Sequence, residues 1–283
     1  MSRIEHIMVP VDEWELADSI VKFAARIAQA FSARVSLLHV APDLSKLPET
    51  QQLSALAEQE RLLAEFKSRY SMDVSLRMGD PATEIVKFAL LERVNIIAMP
   101  THGRQGIDRL VKGSVTEEVL RHSPVPVLMS NEPERTATGH SLERIHRILF
   151  PVYTSESTEP IMPLLADLAK HLDSEVVLYH DERGINDVGT TLEPQEAAQA
   201  IEQCSTRLTR EGVRHSTIRA TAAPVATDIL NKVREMNIDL VVMTTHGRSG
   251  LTRGVFGSVT EDVLRNSPCP VLAVKYSPAA AHV

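Results

Sequence analysis

Short aliphatic runs alternate along the chain with longer stretches in which apolar residues return every three or four positions. The first pattern fits strands buried on both faces and the second fits amphipathic helices, so the alternation predicts an α/β fold with a mostly parallel sheet. Ile7-Met8-Val9-Pro10-Val11 predicts a buried strand ending at Asp12. Residues 15–31 predict a helix with Leu16, Ile20, Phe23, Ala24, Ile27 and Phe31 on one face. Further strands are expected at 35–40, 74–78, 96–99 and 125–129, with helices at 49–70, 82–93 and from Ser114 onward. Gly79-Asp80-Pro81 reads as the turn that starts helix 82–93. The apolar stripes Leu53-Leu56 and Leu62-Leu63 are expected in the core or at an interface.

The same order then returns. Strands are expected at 148–152, 176–179, 214–220, 240–243 and 271–274, with helices near 159–172, 194–211 and 225–236 and from Ser258. The repetition extends to the letters: Thr101-His102-Gly103-Arg104-Gln105-Gly106 recurs 144 residues later as Thr245-His246-Gly247-Arg248-Ser249-Gly250, and residues 101–128 match 245–272 at 20 of 28 positions. A period of this length is a whole domain rather than a solenoid unit, so the chain is two copies of one fold. Residues 131–140 are polar and without apolar period, which marks a linker. The expected architecture is α/β, with two tandem, open, mostly parallel five-stranded sheets carrying helices on both faces. Its domains are placed at 1–130 and 145–277, joined by 131–144.

Composition narrows the function. A chain of 283 residues with 43% apolar content can bury two cores, and at 4% aromatic those cores are built from Val, Ile, Leu and Ala. A formal charge of −7 argues against a nucleic-acid surface, which needs clustered Lys and Arg. Cys204 and Cys269 do not occupy matching repeat positions, and no spacing suggests a metal. Free thiols, the polar N-terminus and the lack of a ~20-residue apolar run lead us to expect a cytoplasmic protein without a membrane span.

The candidate chemistry lies in the repeated segment. Ligands of parallel α/β folds sit beyond the carboxyl ends of the strands. The loop after strand four lies there and feeds a helix N-terminus, whose free amides and dipole favour anions. Gly103 and Gly113 would let a phosphate approach the backbone, Ser114 and Thr116 add hydroxyls, and Arg104, Arg109 and Lys112 add charge; Gly247, Gly257, Ser258, Thr260, Arg248 and Arg253 repeat the set. A second reading stands beside this one. Ser114 with Glu117, and Ser258 with Glu261, form the Ser-x-x-Glu capping box, which explains these residues with no ligand. His102 and His246 either face a phosphate or brace the loop. Asp12 either contacts a ligand or ends its strand, and Trp14 either covers a ligand or packs on the surface. His39 and His180, matching at the end of strand two, are expected to be buried and satisfied.

On these motifs the chain resembles a tandem universal stress protein over both halves. The family's nucleotide-binding members carry Gly-x-x-Gly, nine residues, then Gly-Ser or Gly-Thr. Gly103, Gly113 and Ser114 match, as do Gly247, Gly257 and Ser258, while the first glycine is Pro100 in one half and Thr244 in the other. The resemblance implies a Rossmann-like fold of the adenine-nucleotide alpha-hydrolase type, with ATP as the cofactor and the first half favoured. The family's strand-one aspartate corresponds to Asp12 but to Tyr153 in the second half, and Gly79-Asp80-Pro81-Ala82 is degraded to Ala223-Pro224-Val225-Ala226. The implied site comprises Pro10, Val11, Asp12, Val40, Met99, His102, Gly103, Arg104, Gly113, Ser114, Val115 and Thr116, and in the second half Met243, His246, Gly247, Gly257, Ser258, Val259 and Thr260.

Three functions are weighed. The first is a nucleotide-responsive stress regulator, the second a scaffold or small-ligand member that binds no nucleotide. The third is an enzyme of the wider superfamily. The ligand loop holds no paired catalytic carboxylates, and Val11-Asp12-Glu13-Trp14 stands where a Ser-Gly-Gly-x-Asp-Ser loop would follow strand one, so a dedicated enzyme is not expected, with slow hydrolysis of bound ATP left open. Family members usually dimerise through the last strand, which implies that 125–129 and 271–274 pair as an intramolecular pseudo-dimer, with a homodimer of chains left open. The two halves produced as separate polypeptides should therefore co-elute as a 1:1 complex in size-exclusion chromatography; separate elution at micromolar concentration would overturn the pairing.

Overall fold

The computed structural model describes residues 3–12, 14–100, 114–130, 144–182, 194–220, 224–246 and 257–276. The chain separates into two compact units, with the division between Val127 and Leu128. In the first unit β1 (His6–Pro10), α1 (Trp14–Phe31), β2 (Arg34–Ala41), α2 (Glu49–Tyr70), β3 (Asp73–Met78), α3 (Pro81–Leu91), β4 (Ile96–Pro100) and α4 (Val115–His122) follow one another, and β5 (Val127–Ser130) begins at the division. The strand order is β3-β2-β1-β4, all parallel. The start of β5 lies beside β4, where the Ile97 amide donates to the Pro126 carbonyl at 3.0 Å.

The second unit holds β6 (Arg147–Pro151), α5 (Ser155–Thr158), α6 (Met162–Leu172), β7 (Glu175–Asp181), α7 (Pro194–Arg210), β8 (His215–Ala220), α8 (Val225–Glu235), β9 (Leu240–His246), α9 (Ser258–Asn266) and β10 (Val271–Tyr276). Its parallel order β10-β9-β6-β7-β8 repeats the first template. The central strands are buried because both of their faces are covered, as in β1, where Ile7, Met8 and Val9 are fully enclosed. Helix α1 packs by the expected period, with Ile20, Phe23, Ala24, Ile27 and Phe31 buried.

Three local expectations are corrected. The helix expected near 159–172 begins at Met162, with Pro163 in its first turn, and a separate turn of helix, α5, precedes it; Pro160 lies in the break between them. Thr154 and Ser157 close the short α5 with a capping box. Leu53 on α2 is 78% exposed, which removes the core alternative for it and leaves the interface one, and Phe66 is the buried anchor of that helix. Strand β9 runs on to His246, three residues past the expected end. Thr244, Thr245 and His246 pair there with Val274, Lys275 and Tyr276.

The turn before α3 is built as the sequence implies. Gly79 adopts φ 136°, a conformation that side chains resist, and the Asp80 carboxylate accepts from the Thr83 amide at 2.9 Å. The Thr83 hydroxyl and amide hold this carboxyl below its usual range. Helix α8 has Pro224 as its cap and no side-chain bond. Asp80→Ala should therefore cost ~1 kcal/mol of stability at neutral pH. A lowered carboxyl stabilises only while ionised, so the difference from wild type should be full above the ordinary value of 3.8 and vanish as pH falls through the lowered one. Urea unfolding of both proteins at neutral and acid pH checks this; a difference that persists unchanged in acid would contradict it.

Candidate functional site

In both units the strand order reverses between the first strand and its neighbour, β1 against β4 and β6 against β9. The chain leaves those two strands in opposite directions, which opens a crevice at their carboxyl ends. The backbone around the crevice is tied down by side chains. The Asn95 amide oxygen accepts from the Glu5 and His6 N–H groups at 2.8 and 2.9 Å, fixing the entry of β1 beside β4. Asp239 repeats this on His146 and Arg147 at 2.7 and 3.0 Å. These two residues were missed by the sequence reading, although both directly precede their strand in matching repeat positions.

At the exit of β1 the Val11 amide continues the ladder to the Leu38 carbonyl at 2.8 Å, and Asp12 follows, exposed. His39 is buried, with one ring nitrogen 2.9 Å from the Val11 carbonyl and the other 2.8 Å from the Gln59 side-chain amide. It is the satisfied histidine expected, and it holds the peptide directly before Asp12. Pro10, Val40 and Pro100 are half-buried at the ends of their strands, while Val11 and Met99 are buried.

Across the crevice Ser114 caps α4, its Oγ accepting from the Glu117 amide at 3.2 Å. A hydroxyl oxygen can accept this bond and still donate its own proton, so the cap and an anion-binding role are compatible. The Glu117 carboxylate bonds Arg121 at 2.9 Å. Thr116 is buried and its hydroxyl donates to the Pro100 carbonyl at 3.3 Å, tying the helix start to the end of β4. Val115 is exposed. His102, Gly103, Arg104 and Gly113, with Arg109 and Lys112, lie outside the described residues, as does the side chain of Trp14.

The second unit keeps the frame and changes the ends. The Val152 amide bonds the Tyr179 carbonyl at 2.8 Å as Val11 bonds Leu38, so Tyr153 stands where Asp12 stands, but only 4% exposed. The chain then enters α5, whose Ser157 and Thr158 are buried. Thr260 donates to the Thr244 carbonyl at 3.5 Å, the counterpart of Thr116 and Pro100. The expected Ser258 capping box does not form: Gly257 is the cap, Ser258 is already inside the helix, and Glu261 bonds Arg265 at 2.6 Å. With a glycine at the cap no side chain reaches the first amides. Met243 and Val259 are buried, His246 ends β9, and Gly247 lies outside the described residues along with Arg248 and Arg253.

This duplicated frame coincides with the comparisons to known proteins. The model of the universal stress protein family matches twice, over residues 3–131 and 144–275, and the chain belongs to that family as a tandem two-domain member. It is 23% identical to a universal stress protein of Mycolicibacterium smegmatis over 95% of this chain and 96% of that one. A universal stress protein of Methanocaldococcus jannaschii is 27% identical over 46% of this chain and 83% of its own length. The crystal structure of a universal stress protein from Archaeoglobus fulgidus shares the fold, with a TM-score of 0.76, 21% identity and coverage of 98% of this chain and all of that one.

Among the described residues no three His, Cys, Asp or Glu side chains are grouped as metal ligands, and no helix is long and apolar enough to cross a membrane. Two buried histidines carry a pH dependence. Burial pushes His6 and His180 below their usual 6.5, and a guanidinium adds to the effect in each case, Arg34 beside His6 and Arg219 beside His180. The unfolded chain then takes up these protons first as pH falls, so stability is full above 6.5 and is lost between 6.5 and the lowered values. Urea midpoints should drop from about pH 7 to about pH 5, and His180→Gln should reduce that slope. A profile flat across this range would contradict the assignment.

Proposed function

We propose that the chain is a stress-response regulator that binds one adenine nucleotide, ATP, in the crevice of its first unit and is not a dedicated enzyme. The observation that carries the reading is the contrast between Asp12, exposed at the mouth of that crevice, and Tyr153, buried at the same position of the second unit. A carboxylate there can accept from ribose hydroxyls or a base amine, whereas a buried ring fills the space. Ser114 supports the reading, because its cap leaves a hydroxyl proton for a phosphate at the positive end of α4. Pro10, Val40 and Met99 line the strand ends where the base would lie, with Val115 beside the cap. Gly103, Gly113, His102 and Arg104 are assigned to the phosphates from the repeat alone. Binding would order the loop and favour whichever conformation holds the ligand better.

The second unit is assigned a non-nucleotide role, and the two halves together are proposed to act as a counterpart of the family's dimer. The buried free thiols Cys204 and Cys269, the former pushed up to about 11 by burial, suit the reducing cytoplasm proposed as its location.

Calorimetric titration of the full chain with ATP tests this. We expect one site per chain, weakened at least ~10-fold by Asp12→Ala. Gly113→Val should abolish the site by placing a branched side chain against the phosphates. Two equal sites per chain, or an Asp12→Ala variant that binds like wild type, would overturn the reading in favour of a scaffold.

A further inference from the structure

The duplication supplies an internal reference for a feature of the second unit. A cavity of about 380 Å³ lies between α7, the inner strand β7 and the edge strand β8. His180, Ile201, Glu202, Thr206, Thr217 and Arg219 line it. Register fixes which of these are changes from the template. His39 pairs with Leu76 and His180 with Arg219, so Arg219 replaces Leu76; likewise Leu37 pairs with Val74 and Leu178 with Thr217, so Thr217 replaces Val74. Val74 and Leu76 are half-buried aliphatic residues, whereas Thr217 and Arg219 are exposed and polar. His39 has Gln59 as its helix partner, while His180 faces a wall that includes the aliphatic Ile201. Two aliphatic contacts of the first unit have thus become a hydroxyl and a guanidinium on the walls of an open cavity.

We propose that this cavity binds a compact zwitterion bearing one carboxylate and one ammonium group, of the free α-amino-acid type. The lining is complementary to both ends. Arg219 presents a planar set of donors suited to a carboxylate, with the Thr206 and Thr217 hydroxyls beside it, and Glu202 presents the opposite charge for an ammonium. The tie of Arg219 to Glu182, 3.5 Å long between groups 67% and 41% exposed, is a weak surface pair that a ligand carboxylate can replace. Ile201 and Ala198 give the apolar floor against which a short side chain would rest. The volume lies at the small end of ligand pockets and is ample for a molecule of amino-acid size.

The test is titration of the ¹⁵N-labelled full chain with L-glutamine, with propionate and methylammonium as single-charge controls. L-Glutamine should give saturable shifts at the amides of His180, Ile201 and Thr217, and neither control should saturate at the same concentrations. Arg219→Leu and Thr217→Val restore the residues of the first unit and so should fold. They are expected to weaken binding at least ~10-fold and about fivefold respectively. Shifts that do not saturate, shifts that survive Arg219→Leu, or equal binding of propionate would each overturn the proposal. The outcome is independent of ATP binding, which the same sample reports at Asp12.

Discussion

The clip at the start of each central strand is the constraint on which the rest of the structure depends. β1 and β4 pair through only two registered residues, Ile7 with Ile96 and Met8 with Ile97. One side chain, Asn95, takes up the two amides that precede that pairing. In the second unit Asp239 does the same for β6 and β9. Without this partner the amide of the buried His6 would lose its bond at the strand entry, which costs more than a typical hydrogen bond contributes, while the exposed Glu5 amide could turn to water. The clip sets where β1 starts relative to β4. It thereby sets where both strands end, and so the depth of the crevice between them.

On that frame the two units diverge at the exit of the first strand. The hydroxyl of the residue two beyond the loop serine, Thr116 or Thr260, returns to the final carbonyl of the preceding strand in both units. The exit of the first strand is held by a bond from its last amide to strand two in both. The residue after that bond is solvent-facing in one unit and enclosed in the other, and the helix that follows is continuous in the first unit and interrupted after its first turn in the second. A duplicated sheet can tolerate this because the end of a parallel strand carries few ladder bonds, whereas a change within the strand would disturb both neighbours.

The same division explains which differences accumulate on the edge strands. β3 and β8 pair on one side only, so substitutions there alter a surface rather than a core. Leu76 and Arg219 occupy one register position beside buried histidines, yet both are compatible with the strand.

The sequence by itself determined the period, the parallel α/β class, the element order and the turn at Gly79-Asp80-Pro81. Each of these follows from local spacing or from a backbone preference that one or two residues impose. It also marked Asp12 and Tyr153 as the point of difference. Only the tertiary structure decided that Tyr153 is buried, that Ser114 caps its helix while Gly257 displaces Ser258 from the same role, and that Leu53 is exposed. These outcomes turn on what the neighbouring elements cover. A capping box has the same letters in both repeats, but the serine caps only where the helix begins just after it, as at Val115 in the first unit, whereas in the second the helix begins at Ser258 itself.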